Sequence, residues 1–329
     1  MCALIVPSVA APAPPVSGDA GTTVRRRAWQ ALGTVCEIHY VCDDPAVAAR
    51  FESAAIDWVE NFEARYSRFR PDSLLSRINA SAGGDWTPID AEMEQLLDFS
   101  SSLHFLTQGV LDITAGPLLR LWNYKASPPR IPSAAEIADT LRLVGLARVE
   151  RQPGLVRLPA AGMSLDFGGW GKEYAVDAVA ALATSLGITR CLVDFGHDIR
   201  AVGAAPGKPG WHIGLEDPAN PAGPCRGSLA ACDLGIASSG DYLRGFTIDG
   251  RRYGHIIDPR TGRPVANGCR QVTVVASTAL QAGALSTAIF ILGPDAGLRL
   301  VADSMGAEAR VITDRAVHQT RGFFRYVVS

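Results

Sequence analysis

Between Met163 and Asp177 the chain reads MSLDFGGWGKEYAVD, and this stretch restricts the fold more than any other. Met163 to Phe167 predicts a strand, Gly168, Gly169 and Gly171 predict a tight junction, and Lys172 opens an alanine-rich helical pattern. Glycines at such a junction let the backbone approach a ligand closely, and the first N–H groups of the helix point at it. A lysine beside them adds a full positive charge. Two readings fit these residues: a seat for phosphate, or a glycine-rich turn with a surface lysine. A Walker A loop is excluded, because Asp166 stands where that motif needs its first Gly and Glu173 where it needs Ser or Thr.

The rest of the chain mixes both periodicities. Thr34 to Val41 alternates as a strand does. From Val47 the apolar residues Phe51, Ala55, Trp58, Val59, Phe62 and Tyr66 recur at helical spacing, and that helix must end before Pro71. A second helix is expected after Asp90 as its N-cap, running towards Gln108-Gly109. A third starts at the capping box Ser133-Ala134-Ala135-Glu136 and stops at Gly145. Strands are expected at Cys191–Phe195, Trp211–Glu216, Gln271–Ala276, Val311-Ile312 and Phe323–Val328. Phe246 to Ile257 reads as a hairpin around Asp249-Gly250, the dipeptide that type I′ turns favour. A helix over Ala279–Leu292 is stopped by Gly293. The hairpin and the closing strands argue against a wound parallel sheet, so the expected class is α+β, with mixed or antiparallel sheets and packed helices.

Charge and composition exclude some functions. A net charge of −2 leaves no basic footprint, which argues against nucleic acid as a partner. No apolar run approaches the ~20 residues of a membrane-spanning helix. The seven cysteines contain no C-x-x-C pair, so neither a zinc site nor a disulfide framework is indicated. Residues 1–28 are expected to form a disordered leader or the remnant of a signal: Ala3 to Pro15 is rich in Ala and Pro, and Val9-Ala10-Ala11 resembles a cleavage site, yet no Lys or Arg precedes it. As written the chain is expected to be cytoplasmic; a start codon assigned too late would make it an exported, periplasmic protein. Residues 29–329 are expected to form a single domain.

Five segments carry candidate chemistry: Phe69-Arg70-Pro71-Asp72-Ser73; Thr107 to Thr114 with Gly116-Pro117; the glycine-rich junction; Val193 to Arg200; and Ser238 to Gly262, which contains SGDY and GHIIDPRTG. In this order they resemble the ApbE family, the FAD:protein FMN transferases, from about Ala31 to the C-terminus. The resemblance implies an ApbE-like fold and a transferase that splits FAD at its pyrophosphate. It implies that the FMN moiety passes to a Ser or Thr hydroxyl of an acceptor protein, with Mg2+ on the diphosphate. For FAD it implies contacts from Leu32 (in Leu32-Gly33-Thr34), Phe69, Val110, Leu111, Asp112, Asp166, Lys172 and Ile257. For magnesium it implies the Gly169 carbonyl and Thr287. His255 is the candidate base, because an imidazole titrates near neutrality; a strand histidine satisfied by neighbouring backbone is the other reading. Asp241 and Arg244 form either part of the site or a structural ion pair.

The chain departs from the family pattern at three positions. The family's A-D-A-x-x-T helix is Ala282-Gly283-Ala284-Leu285-Ser286-Thr287 here, so Gly283 replaces the metal-binding Asp. Glu173 stands where Gly is usual after the lysine, and His197 stands where Gly is usual in the NLGGD-like segment. Either Glu173 or Asp198, with His197 as helper, restores the missing carboxylate, or the chain is an FAD-binding accessory protein that no longer transfers FMN. A pyrophosphatase releasing FMN and AMP is a further alternative. Glu173 also admits a plainer reading, as a solvated first-turn residue complementing the helix dipole.

Overall fold

Cys36, Ile38 and Tyr40 alternate along Thr34–Val41 and are fully buried, because a strand turns every second side chain to the same face. In the computed structural model, which describes residues 23–328, this strand is the second of eight in one antiparallel sheet. The strands are β1 (Val24–Ala31), β2 (Thr34–Val41), β3 (Cys191–Phe195), β4 (Asp198–Val202), β5 (Gly235–Gly240), β6 (Cys269–Ala276), β7 (Glu308–Thr313) and β8 (Val317–Gln319). Each pairs with its neighbour in this series, so the sheet is a meander into which long segments are inserted. The expected α+β class holds.

Helices cover one face. They include α1 (Pro45–Tyr66), α2 (Ala91–Leu106), α3 (Gly171–Ser185) and α4 (Ala279–Leu292). Cys191, Val193 and Phe195 of β3 point into this helical layer with α1 and α3. Val272 and Val274 of β6 meet Leu285, Ile289 and Phe290 of α4. The alternate residues Leu192, Ile199, Ile236 and Val275 face the other way, onto a three-stranded sheet of Trp211–Gly214, Ser228–Ala231 and Val327–Val328.

Local sequence explains the helix limits. Asp44 caps α1 by accepting from the N–H groups of Ala46 and Val47, and Ala48, Phe51, Ala55, Val59, Phe62 and Tyr66 form its buried stripe. Asp90 and Ser133 act as N-caps as the sequence predicts, and Ser133 and Glu136 form a full capping box. Helix α4 is buried on nearly all sides. Its start presses so closely on β5 that Gly235 has no room for a Cβ against the Thr278 backbone. The hairpin forms with Asp249 and Gly250 both at positive φ, 50° and 74°, as a type I′ turn requires.

Four expectations are corrected. Met163 to Phe167 is extended but joins no ladder; its backbone is held by the Asn79 side chain at Leu165 and by the Ile113 carbonyl at Asp166. Val24 to Ala28, expected within the leader, belong to β1, and the rest of that expectation lies outside the described residues, which begin at residue 23. The strand from Trp211 stops at Gly214. Phe323–Tyr326 is a 3₁₀ turn that buries Phe323, and only Val327–Val328 pair as strand. Among the described residues no helix is long and apolar enough to cross a membrane, and Cys36, Cys42, Cys191, Cys225, Cys232 and Cys269 are all free.

Candidate functional site

The inserted segments meet over the sheet and enclose a cleft of about 1540 Å³, larger than a typical small-ligand pocket. Of the residues singled out in the sequence, Leu32, Phe69, Val110, Leu111, Asp112, Asp166, Gly169, Lys172, Glu173, His255, Ile257 and Thr287 all line it. Gly283 does not. It is buried beneath the Glu173 side chain, and its carbonyl accepts from the Ser286 hydroxyl at 3.0 Å. With no side chain to offer and no place on the wall, Gly283 is withdrawn as a metal ligand.

The glycine-rich junction forms the floor. Helix α3 begins at Gly171 after Trp170, and no side chain caps it. Gly171 N–H donates to the Phe167 carbonyl at 2.7 Å, so this end offers the cleft the partial positive charge of the helix dipole, which suits an anion. Asp166 makes the turn by accepting from Gly168 N–H at 2.8 Å, and its other oxygen pairs with Arg68 Nε at 3.0 Å. Lys172 is anchored rather than loose. Its ammonium donates to the carbonyls of Phe195 (2.9 Å) and Gly196 (3.3 Å) and pairs with Asp198. Burial alone would lower the lysine pKa, but Asp198 and then Glu173 raise it above its ordinary value. It stays charged.

Glu173 is 8% exposed, so the reading of a solvated first-turn residue is overturned. Burial, and then the Asp198 carboxylate beside it, push its carboxyl well above the usual range. Its Oε2 has no hydrogen-bond partner. On the facing helix, one turn beyond Gly283, the Thr287 hydroxyl lies 3.1 Å from Ser239 Oγ. Gly169 meets only Leu111 Cδ2, 3.9 Å from where a Cβ would sit, so its backbone is accessible from the cleft.

The upper walls are apolar and cationic. Leu32 and Gly33 turn β1 into β2 at positive φ, 53° and 71°, and the Leu32 N–H is pinned by Glu63 at 3.1 Å. Phe69 is 77% exposed at the rim, with the Arg68 guanidinium 4.4 Å over its ring. Val110, Leu111 and Ile257 are buried. The Asp112 carboxylate is committed to local structure: Oδ1 accepts from Thr114 N–H at 2.8 Å and Oδ2 from Leu146 N–H at 3.1 Å. Asp112 thus shapes the wall of the cleft through its turn.

His255 packs edge-on against Tyr124, 5.9 Å between ring centres. Its Nδ1 is buried without a hydrogen-bond partner, while the Arg244 backbone lies near the ring. Burial, and then the Arg244 charge, lower its pKa to about 4. Asp241 faces Arg252 at 4.0 Å, so the expected pairing with Arg244 is replaced. His197 sits exposed in the β3–β4 turn with φ of 72°, and its Nε2 reaches towards Glu216 at 3.9 Å. The cleft also holds Arg244, which the sequence offered as a candidate, and Arg68 and Arg120, cations that sequence reasoning missed as site residues. The Arg120 side chain donates to Ser164 Oγ at 2.7 Å, and burial followed by the charge of Arg68 lowers its pKa. Of the two that were missed, only Arg68 gave a signal, lying beside the aromatic of the first segment.

Comparison with known proteins agrees with this geometry. A model of the ApbE family matches residues 32–311. The FAD:protein FMN transferase of Vibrio cholerae serotype O1 is 30% identical over 302 residues, covering 91% of this chain and 89% of its own length. The crystal structure of the ApbE protein from Thermotoga maritima superposes with a TM-score of 0.84 at 29% identity, covering 93% of this chain and 100% of that one. The apo form of the Pseudomonas stutzeri flavinyl transferase ApbE gives a TM-score of 0.81 at 28% identity, with 93% and 97% covered.

Proposed function

The chain belongs to the ApbE family, and from that premise we propose that it transfers the FMN moiety of FAD to a Ser or Thr hydroxyl of an acceptor protein. The observation that carries the reading is the convergence, in one dinucleotide-sized cleft, of the uncapped α3 N-terminus, the charged Lys172 and the partnerless His255 Nδ1.

In this reading the diphosphate lies over the α3 N-terminus, where the helix dipole and Lys172 match its charge. Phe69 offers a ring face at the rim, and Leu32, Val110, Leu111 and Ile257 supply apolar wall. The acceptor oxygen attacks the phosphorus on the FMN side of the anhydride. The bond to the bridging oxygen breaks, AMP leaves, and the hydroxyl proton passes to His255. A base with so low a pKa is neutral at physiological pH and ready to accept, though individually weak. Arg68, Arg120 and Arg244 add positive charge to the walls against which the phosphate charge develops.

The residues present fit a divalent cation. Glu173 Oε2 is buried without a partner, and the Thr287 hydroxyl lies on the same wall of the cleft; oxygen donors of this kind suit Mg2+. When bound, the cation neutralises diphosphate charge. Thr287, the Gly169 carbonyl and a carboxylate would hold it. Residues 29–329 act as one unit in this account.

The test is product analysis with FAD, Mg2+ and a candidate acceptor. AMP release that requires the acceptor is expected. AMP and free FMN released at the same rate without acceptor would mean a pyrophosphatase and overturn the proposal.

A further inference from the structure

Glu173 and Gly283, far apart in sequence, share one space. A Cβ on Gly283 would lie 2.5 Å from Glu173 Cγ, 2.6 Å from its Oε1 and 2.8 Å from its Cδ. No side chain fits at 283 while Glu173 holds this position. The glycine is therefore a complement to the glutamate.

The geometry also says where the glutamate carboxyl arrives. Positions 283 and 287 are one turn apart on α4 and share a face, and Thr287 lines the cleft. A carboxyl seated over Gly283 thus enters the wall one turn from the Thr287 hydroxyl. Glu173 is itself a cleft residue, is 8% exposed, and leaves Oε2 without a partner. Asp198 lies beside it, and Lys172 is the ammonium that faces both. Asp198, Glu173 and the Lys172 ammonium thus share one buried corner, in which Glu173 Oε2 is an oxygen left without a hydrogen-bond partner.

We propose that Glu173 carries the carboxylate for the divalent cation in this chain, entering from α3 the space that a side chain at 283 would otherwise take from α4. This rests on the metal-assisted reading given above. The exchange is reciprocal: an acidic side chain at 283 fits only where the one at 173 is removed or turned aside.

The test uses Mn2+ as probe and the full chain loaded with FAD, with free Mn2+ followed by electron paramagnetic resonance. FAD binding is measured separately by flavin fluorescence without divalent cation. Glu173→Gln keeps the shape and removes the charge. It is expected to weaken Mn2+ by at least about tenfold, a scale on which even supporting groups around a metal act, while still binding FAD. The double variant Glu173→Gly with Gly283→Asp is expected to return Mn2+ affinity to within about threefold of the parent, given an equivalent oxygen ligand in the same space. Glu173→Gln binding Mn2+ as tightly as the parent would overturn the assignment and leave the metal-assisted reading standing. A folded, FAD-binding double variant without recovery would overturn the shared-space argument. A parent chain that binds FAD but no Mn2+ would overturn both.

Discussion

Asp177 closes the N-terminus of α4 at Leu280. Its Oδ2 accepts from the Leu280 N–H at 2.8 Å, while Oδ1 accepts from the Ala279 N–H at 2.9 Å. Asp177 follows Glu173 by one turn of α3, and Gly283 follows Ala279 by one turn of α4. One clamp between the two helices therefore sets the register that places Glu173 over Gly283. Asp177→Ala leaves both N–H groups to find other partners, and a loss of about 1–2 kcal/mol in urea unfolding is expected. Because the clamp also sets the register, Mn2+ binding to the FAD-loaded chain should weaken in the same variant. A variant as stable as the parent would remove the clamp from the account.

Phe69 separates binding from stability. It is 77% exposed, so Phe69→Ala should leave thermal unfolding unchanged. Stacking of an aromatic on a base is worth roughly 1–3 kcal/mol, and FAD affinity measured by fluorescence titration should fall about tenfold. Unchanged FAD affinity would mean that no ring rests on Phe69.

His255 gives the stability a pH dependence of definite sign. Its folded-state pKa is about 4, against about 6.5 when unfolded. The unfolded chain therefore takes up the proton first. This contribution is complete above about pH 6.5 and is lost as pH falls towards 4, up to about 3 kcal/mol. His255→Gln should flatten that limb in urea unfolding from pH 7 to 4. Transfer by the parent should not fall with a midpoint near 6.5. If it did, the titrating base would be another group.

His197 carries backbone strain. Its φ of 72° lies in the left-handed region that disfavours a β-carbon, and its imidazole Nε2 reaches only to 3.9 Å from Glu216. His197→Gly should raise stability by about 1 kcal/mol in thermal unfolding. A loss of stability would show that the imidazole makes a contact worth more than the strain.

These residues also show how far the sequence could be read. The α1 stripe, the caps at Asp90 and Ser133, the Asp249-Gly250 turn and the span of α4 were all legible, because each depends on neighbours within a few positions. Strand β1 was obscured by Arg25, Arg26 and Arg27, which suit an edge strand in solvent but break the apolar alternation that marks a strand. Met163 to Phe167 has the composition of a strand, yet its backbone partners are Asn79 and Ile113. Most site positions came from motif resemblance, and they gather in the cleft because the inserted segments converge there. The fit of Glu173 onto Gly283 was not legible. It depends on the packing of α3 against α4, and only the loss of Asp at one position and the gain of Glu at the other hinted at it.

The most direct test of the central claim is the intact mass of an acceptor protein after incubation with this chain and FAD, with Mg2+ or with a chelator. The account expects a mass gain of one FMN phosphoester on a Ser or Thr of the acceptor, present with Mg2+ and absent with the chelator. An acceptor of unchanged mass, with FAD shown to be bound in the cleft and a second acceptor also unmodified, would contradict it.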